Sequence, residues 1–481
     1  MKNNFFPSFM IIILFFFSNI SAQEYLQKYY PETDPLVLKQ LEKWQDIKFG
    51  LLMHWGPYSQ WGVVESWSIC SEDEGWERRK IDNYVEYKKQ YEGLKKTFNP
   101  TKFDPDKWAL AAKEAGMRYV VFTTKHHDGF SMFDTKQTNY KITDPECAFS
   151  TNPKANVAKE IFNAFRKQGF MTGAYFSKPD WHNENYWWPN FATPDRNVNY
   201  NIPTYPERWK KFVEFTHNQI MELMTDYGRI DILWLDGGWV RIKTDDEVKE
   251  QMLSAKYATR PQSQDINMPG LVRKAREKQP GLIVVDRAVE GPYQNYLTPE
   301  NQIPGKLLPY PWESCIIMGG GWSYTFDAKY KSAHELINML VDIVSKGGNL
   351  LLNIAPSPEG TWDDEAYARL KELGAWMKIN DEAIYNSRPF APYREGKICF
   401  TQLKDGTTYA FYLADENEIT IPAQIKLPES VVGKKSIVMM LGSKEKLKLE
   451  KIGNDFTIKI PETLQKNPPC EQAWVIKISS K

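Results

Sequence analysis

Apolar and polar positions follow two regimes along the chain. Up to about Phe390, a segment with apolar residues at helical spacing repeatedly ends in glycine and runs into a short, nearly all-apolar stretch. "DKWALAAKEAG" leads into "MRYVVFTTKHHDG", "NVAKEIFNAFRKQG" into "FMTGAYFSKPDW", and "ERWKKFVEFTHNQIMELMTDYG" into "RIDILWLDGGW". "LVRKAREKQPG" leads into "LIVVDR" and "SAHELINMLVDIVSKGG" into "NLLLNIAP", while "IKFGLLMHWG" precedes the series. Glycine closes a helix, and a run that is apolar at every position suits a strand covered on both faces of a parallel sheet. Repeated units of this kind predict an α/β fold, either a (β/α)8-like barrel or a doubly wound sheet.

Polar residues choose between the two. They gather where the strands should end: His54, His126 and His127, Asp180 with His182, Asp236, Arg287 and Asn353. That is the active face of a (β/α)8 barrel. A nucleotide-binding open sheet should carry a glycine-rich loop after its first strand, and "HWGPYSQWG" is too bulky to cradle phosphate. Beyond about Phe390 the pattern becomes β-rich and partly alternating, as in "TTYAFYLA" and "EITIPAQIKLP", with turn signals at Asp405-Gly406 and Gly453-Asn454-Asp455. The expected organisation is a barrel over 23–390 and an antiparallel β-sandwich over 391–481.

Residues 1–22 read as a secretory signal peptide: Lys2, an apolar run from Phe9 to Phe17, then small residues to Ala22. The run is shorter than the about 20 apolar residues of a spanning helix, so export without membrane insertion is expected, to the periplasm or beyond. Lys+Arg and Asp+Glu each number 61, which gives no electrostatic case for nucleic acid. The five cysteines are far apart, with neither a disulfide framework nor zinc spacing, and free buried thiols are expected. Seventeen Trp and 25 Tyr suit stacking on sugars, although aromatic rings also fill cores.

In "DILWLDGGW" (231–239), alternation puts Trp234 and Asp236 on one face and Leu233 and Leu235 on the other. The leucines suit the helix layer, which leaves Trp234 and Asp236 facing the barrel mouth, where Gly237 and Gly238 let the chain turn. Capping or loop bonding is an equal alternative for this aspartate taken alone. In "KHHDGF" (125–130), adjacent histidines would diverge on a regular strand, but a turn at its end lets both reach one ligand. No H-x-H or H-E-x-x-H occurs, so hydroxyl binding by neutral imidazoles is favoured over a metal site, and no cofactor is expected. Glycoside hydrolysis needs a second carboxyl group, and Glu290, Glu300 and Glu313 are the candidates.

These motifs, in this order, resemble those of the α-L-fucosidases of glycoside hydrolase family 29: "KFGLLMHWGPYS", "YVVFTTKHHDGF", "DILWLDGGW", "VVDR", "GGNLLLNIAPSPEGTW" and "LKELGAWMKINDEAIYNSRPF". The resemblance runs from about Trp44 to Phe390, and the β-rich tail is similar to the family's C-terminal sandwich. It implies a retaining, exo-acting α-L-fucosidase acting on fucosylated glycans, with Asp236 as nucleophile. It also implies fucose ligands at His54, His126, His127, Trp234 and Arg287, and a pocket tyrosine at Tyr175, with Phe176 replacing a common second tyrosine. Glu65 and Trp67 in "VESW" resemble the family's Glu-Trp element, with Ser66 inserted between them. Glu300 in "YLTPENQIP" matches the loop that carries the acid/base in many members. Glu313 in "PWESC" is the second choice, on a predicted strand that suits a structural or hydroxyl-binding role, and Glu290 is the third. "SKPDWHNENYWWPN" departs from the family pattern, and its Asp180, Trp181 and His182 are expected on the leaving-group side. "ESWSICSEDEGWERR" also departs from it, and both loops are expected to set linkage preference. A related α-L-glycosidase such as an α-L-galactosidase, a non-catalytic carbohydrate-binding barrel and a metal-dependent hydrolase are the alternatives.

Overall fold

The computed structural model describes residues 27–71, 79–254, 261–433, 435–453 and 455–479. The expected signal peptide lies outside these residues, as does the 72–78 portion of the "ESWSICSEDEGWERR" loop.

Seven parallel strands form the first sheet: β1 (Phe49–Met53), β2 (Tyr119–Lys125), β3 (Met171–Ser177), β4 (Ile232–Asp236), β5 (Ile283–Asp286), β6 (Glu313–Ile317) and β7 (Asn349–Asn353). Their order is β5-β4-β3-β2-β1-β7-β6, so the sheet curls with β5 and β6 at its edges. A hook of chain fills the place of an eighth strand. It descends along β5, where Asp286 N bonds Tyr293 O and Asn295 N bonds Val284 O, and turns near Tyr296. It then climbs along β6, with Leu297 N bonding Pro311 O and Asn301 N bonding Cys315 O. The fold is thus the expected barrel, with one irregular stave that carries Glu300 near its upper end.

The all-apolar runs became strands because both faces are covered; β2 and β3 are buried at every position. Alternation sorts the faces. Leu233 and Leu235 join the outer core under the helices, and Ile232 and Trp234 join an inner core with Tyr175, Val285 and Tyr296. The glycine signals mark real turns. Gly228, at φ +73°, brings the chain from the helix Pro206–Asp226 toward β4 in a conformation that a side chain would strain.

The antiparallel strands are β8 (Arg388–Glu395), β9 (Ile398–Gln402), β10 (Thr408–Leu413), β11 (Gln424–Pro428), β12 (Ile437–Met440), β13 (Lys448–Ile452), β14 (Asp455–Lys459) and β15 (Ala473–Ser479). They form a five-stranded sheet, β12-β15-β10-β9-β8, and a three-stranded sheet, β11-β14-β13. Phe400, Ile425, Leu427, Ile458, Trp474 and Ile476 fill the space between the sheets. The opposite face of the larger sheet, with Cys399, Tyr409, Phe411 and Val475, merges into the barrel's outer core. Trp376, on the helix Asp364–Ile384, donates to Ala473 O at 2.9 Å across that junction. The five cysteines are free thiols, four of them buried. Among the described residues no helix is long and apolar enough to cross a membrane.

Candidate functional site

A cavity of about 470 Å³ opens at the C-terminal ends of the parallel strands. His54, Glu65, Trp67, His126, His127, Tyr175, Trp234, Asp236, Arg287 and Glu300 all line it. A larger cavity of about 940 Å³ contains Glu290, which accepts Lys28 N at 3.1 Å and does not line the histidine-bearing cavity.

Asp236 ends β4, and Gly237 turns the chain at φ +87° while donating its N–H to Asp236 Oδ1 at 2.7 Å. Tyr175 Oη donates to Oδ2 at 2.7 Å and Arg287 Nη1 to Oδ1 at 3.2 Å. Burial opposes ionisation of this carboxyl group, but the Arg287 charge, the phenol and the amide outweigh it and hold the pKa far below the usual carboxylate range. The same ion pair pushes the Arg287 pKa up against the effect of burial. The other guanidinium nitrogen, Nη2, bonds Glu300 Oε2, and Trp322 Nε1 donates to Glu300 Oε1 at 3.1 Å. One arginine therefore ties the two carboxyl groups together. Glu300 is the more open of the pair, with 41 % of its side chain exposed against 14 % for Asp236.

The histidines line the cavity close to Asp236. Strand β2 ends at Lys125, so the chain is free to turn and both following side chains reach the cavity, their rings 4.2 Å apart. Burial pushes all three imidazoles toward the neutral form: His54 falls to about 4, His127 to about 3, and His126 lies well below its ordinary value. His54 Nδ1 pairs with Asn353 Oδ1 at 2.9 Å. The serine between Glu65 and Trp67 has a defined place: Ser66 Oγ lies 2.6 Å from His126 Nδ1 and accepts Asp128 N at 2.9 Å. His126, His127 and Asp236 offer donor atoms within 4.8 Å of one another, a grouping that could hold a metal ion. A cation there would compete with Arg287, which already supplies positive charge to Asp236.

The expectation for "SKPDWHNENYWWPN" does not hold as stated. Asp180 forms a buried ion pair with Lys125 at 3.2 Å, Trp181 stacks on Trp187 with centroids 5.2 Å apart, and His182 pairs with Glu92 at 2.9 Å. Each has partners behind the cavity, and none lines it. Further along the same loop, Arg196 reaches the cavity instead, its guanidinium 4.8 Å from the Trp67 ring and 5.3 Å from the Trp239 ring. Trp239 and Trp322 also line the cavity and were not anticipated. Trp239 follows the Asp-Gly-Gly turn and was legible in principle; Arg196, on a long irregular loop, had no signal. Glu313 lies below the cavity, fully buried, and is not part of its lining.

Fold and comparisons together define the class, an enzyme that hydrolyses glycosidic bonds. The chain belongs to the alpha-L-fucosidase family: the family's model matches residues 16–382, and that of the alpha-L-fucosidase C-terminal domain matches residues 393–479. It is 27% identical to the plasma alpha-L-fucosidase of Homo sapiens over 94% of this chain and 92% of that protein. Among solved structures, alpha-L-fucosidase isoenzyme 1 from Paenibacillus thiaminolyticus is 27% identical with a TM-score of 0.72, covering 93% of this chain and 100% of that one. Thermotoga maritima alpha-fucosidase in complex with fucose is 26% identical with a TM-score of 0.69, covering 94% and 100%.

Proposed function

We propose that the protein is a retaining, exo-acting α-L-fucosidase that releases terminal α-L-fucose from fucosylated glycans through a covalent fucosyl–Asp236 ester. The observation that carries this reading is the pairing of an ionised, rigidly held Asp236 with a more exposed Glu300 on one guanidinium. A nucleophile must stay ionised and fixed; an acid/base must reach both the leaving oxygen and water.

Asp236 attacks C1 of the sugar while Glu300, carrying a proton, gives it to the departing glycosidic oxygen. The freed Glu300 carboxylate then takes a proton from water, whose oxygen attacks C1 and breaks the ester to Asp236. Retention requires the two carboxyl groups about 5–5.5 Å apart, a span that clamping by a single arginine supports. His54, His126 and His127, held neutral, exchange hydrogen bonds with the ring hydroxyls, and Trp67 and Trp234 supply apolar walls. The complex of the Thermotoga relative with fucose supports this sugar. So do Leu52, Val64 and Cys315 in the lining, which suit a methyl at carbon 6 better than the hydroxymethyl of an α-L-galactoside. The domain limits 23–390 and 391–481, and export to the periplasm or exterior, complete the proposal.

Turnover of an aryl α-L-fucoside tests the roles. Asp236→Ala should be nearly inactive. Glu300→Ala should retain activity on activated leaving groups and recover further with azide, which replaces the water that Glu300 activates. Wild-type behaviour of Glu300→Ala on natural glycans overturns the acid assignment.

A further inference from the structure

Beneath the cavity lies a carboxyl group that this mechanism does not use. Glu313 begins β6 with its side chain inside the barrel, two residues before the cavity-lining Cys315. It is fully buried. Tyr119 Oη donates to Oε2 at 2.7 Å and Tyr296 Oη to the same oxygen at 3.4 Å, while Trp234 Nε1 donates to Oε1 at 3.2 Å. Tyr296 is itself fixed by stacking on Trp44, with centroids 4.0 Å apart and planes 7° apart. Without access to the cavity, this carboxyl group cannot pass a proton to a leaving oxygen. A buried carboxyl group is also costly compared with an apolar side chain of similar volume.

What Glu313 holds explains its place. The Trp234 indole stacks on Tyr175 at 5.2 Å and lies under the Arg287 guanidinium at 5.4 Å. Tyr175 and Arg287 both donate to Asp236. One indole therefore backs both groups that set the nucleophile's position and charge, and its N–H edge is anchored on Glu313. We propose that Glu313 is a positioning residue, acting through Trp234 on Tyr175 and Arg287 to fix Asp236. The inference rests on the assignment of Asp236 and Glu300 above and deepens it.

Two variants and two substrates test it. Glu313→Gln keeps the volume and an acceptor oxygen for the indole; Glu313→Leu removes the acceptor. The substrates are α-L-fucosyl fluoride, whose leaving group needs no proton, and an aryl fucoside. Glu313→Gln should stay within about 5-fold of wild type on both, and Glu313→Leu should lose about 10–100-fold in kcat equally on both without azide rescue, the range expected for a lost bond to a charged or polar anchor. Because Glu313→Leu carries a folding risk, the wild type and Glu313→Gln are also labelled with 5-fluorotryptophan. The Trp234 ¹⁹F resonance, assigned by its loss in Trp234→Phe, should titrate in the wild type with a midpoint near 7, the value to which burial pushes Glu313, and should not titrate in Glu313→Gln. Among the described residues, Arg287, Tyr119, Tyr296 and Cys315 face Glu313, and all four have their pKa values pushed up, away from this range. Wild-type kinetics in a folded Glu313→Leu, or a Trp234 resonance identical in the wild type and Glu313→Gln at every pH, overturns the positioning role and leaves Glu300 untouched. Fluoride turnover retained by Glu313→Gln with loss on the aryl fucoside and azide rescue would make Glu313 the acid/base and overturn both assignments.

Discussion

Tyr175 donates its phenolic proton to Asp236 Oδ2 at 2.7 Å from a ring held against Trp234. The bond favours the carboxylate form and fixes the orientation of the carboxyl group. A hydrogen bond to a charged acceptor is worth about 1.5–3 kcal/mol. Tyr175→Phe should therefore lose about 10–100-fold in kcat/KM, mostly in kcat, while the protein stays folded. Steady-state kinetics on an aryl fucoside, with thermal unfolding as control, measure this; an unchanged kcat would show that the phenol does not serve the nucleophile.

The buried imidazoles fix the direction of the pH dependence. In the folded protein burial lowers His54 to about 4 and His127 to about 3, below the ordinary histidine value near 6.5. Between these values the unfolded chain binds more protons, so stability is full above about 6.5 and falls as pH drops through the folded values. Asp236, also lowered, adds a loss only in stronger acid. Glu313 works the other way: raised to about 7 by burial, it favours the folded state at low pH and loses that contribution as pH rises through 7. Melting temperature measured across pH 4 to 8 should fall on the acid side. His127→Gln should flatten that fall, and Glu313→Gln should improve stability on the alkaline side only.

Lys178 and Asp286 form a buried ion pair that joins the end of β3 to the end of β5, across β4 on the side of the helices. Lys178 N also bonds Asp236 O at 2.9 Å, so this strap lies directly behind the nucleophile. Removing one partner strands the other's charge. Lys178→Met should cost about 3–5 kcal/mol of stability, and Lys178→Met/Asp286→Leu much less than the sum of the single changes. Denaturant unfolding of the four proteins in this cycle decides; additive losses would mean that the pair is not coupled.

Much of the site was readable because strand chemistry is periodic. Alternation in "DILWLDGGW" separated Trp234 and Asp236 from the leucines, and the end of β2 explained how adjacent histidines share one cavity. Local pattern fails where the chain is irregular. The hook carrying Glu300 has no repeating period, Arg196 arrives from a long loop, and Trp322 follows a run of glycines. Asp180, Trp181 and His182 carried the right chemistry for a rim, yet Lys125, Trp187 and Glu92 claim them, and no spacing along the sequence reveals those partners.

The identity of the nucleophile is tested most directly by trapping. The enzyme is treated with 2-deoxy-2-fluoro-α-L-fucosyl fluoride, whose fluorine at carbon 2 slows both steps while its fluoride leaving group lets the glycosyl ester still form, and the digested protein is read by mass spectrometry. The account predicts one fluorofucosyl adduct per chain, on the peptide containing Asp236 and at that residue, absent from Asp236→Ala. An adduct on another carboxyl group, or no adduct together with an inverted first product by NMR, would contradict it.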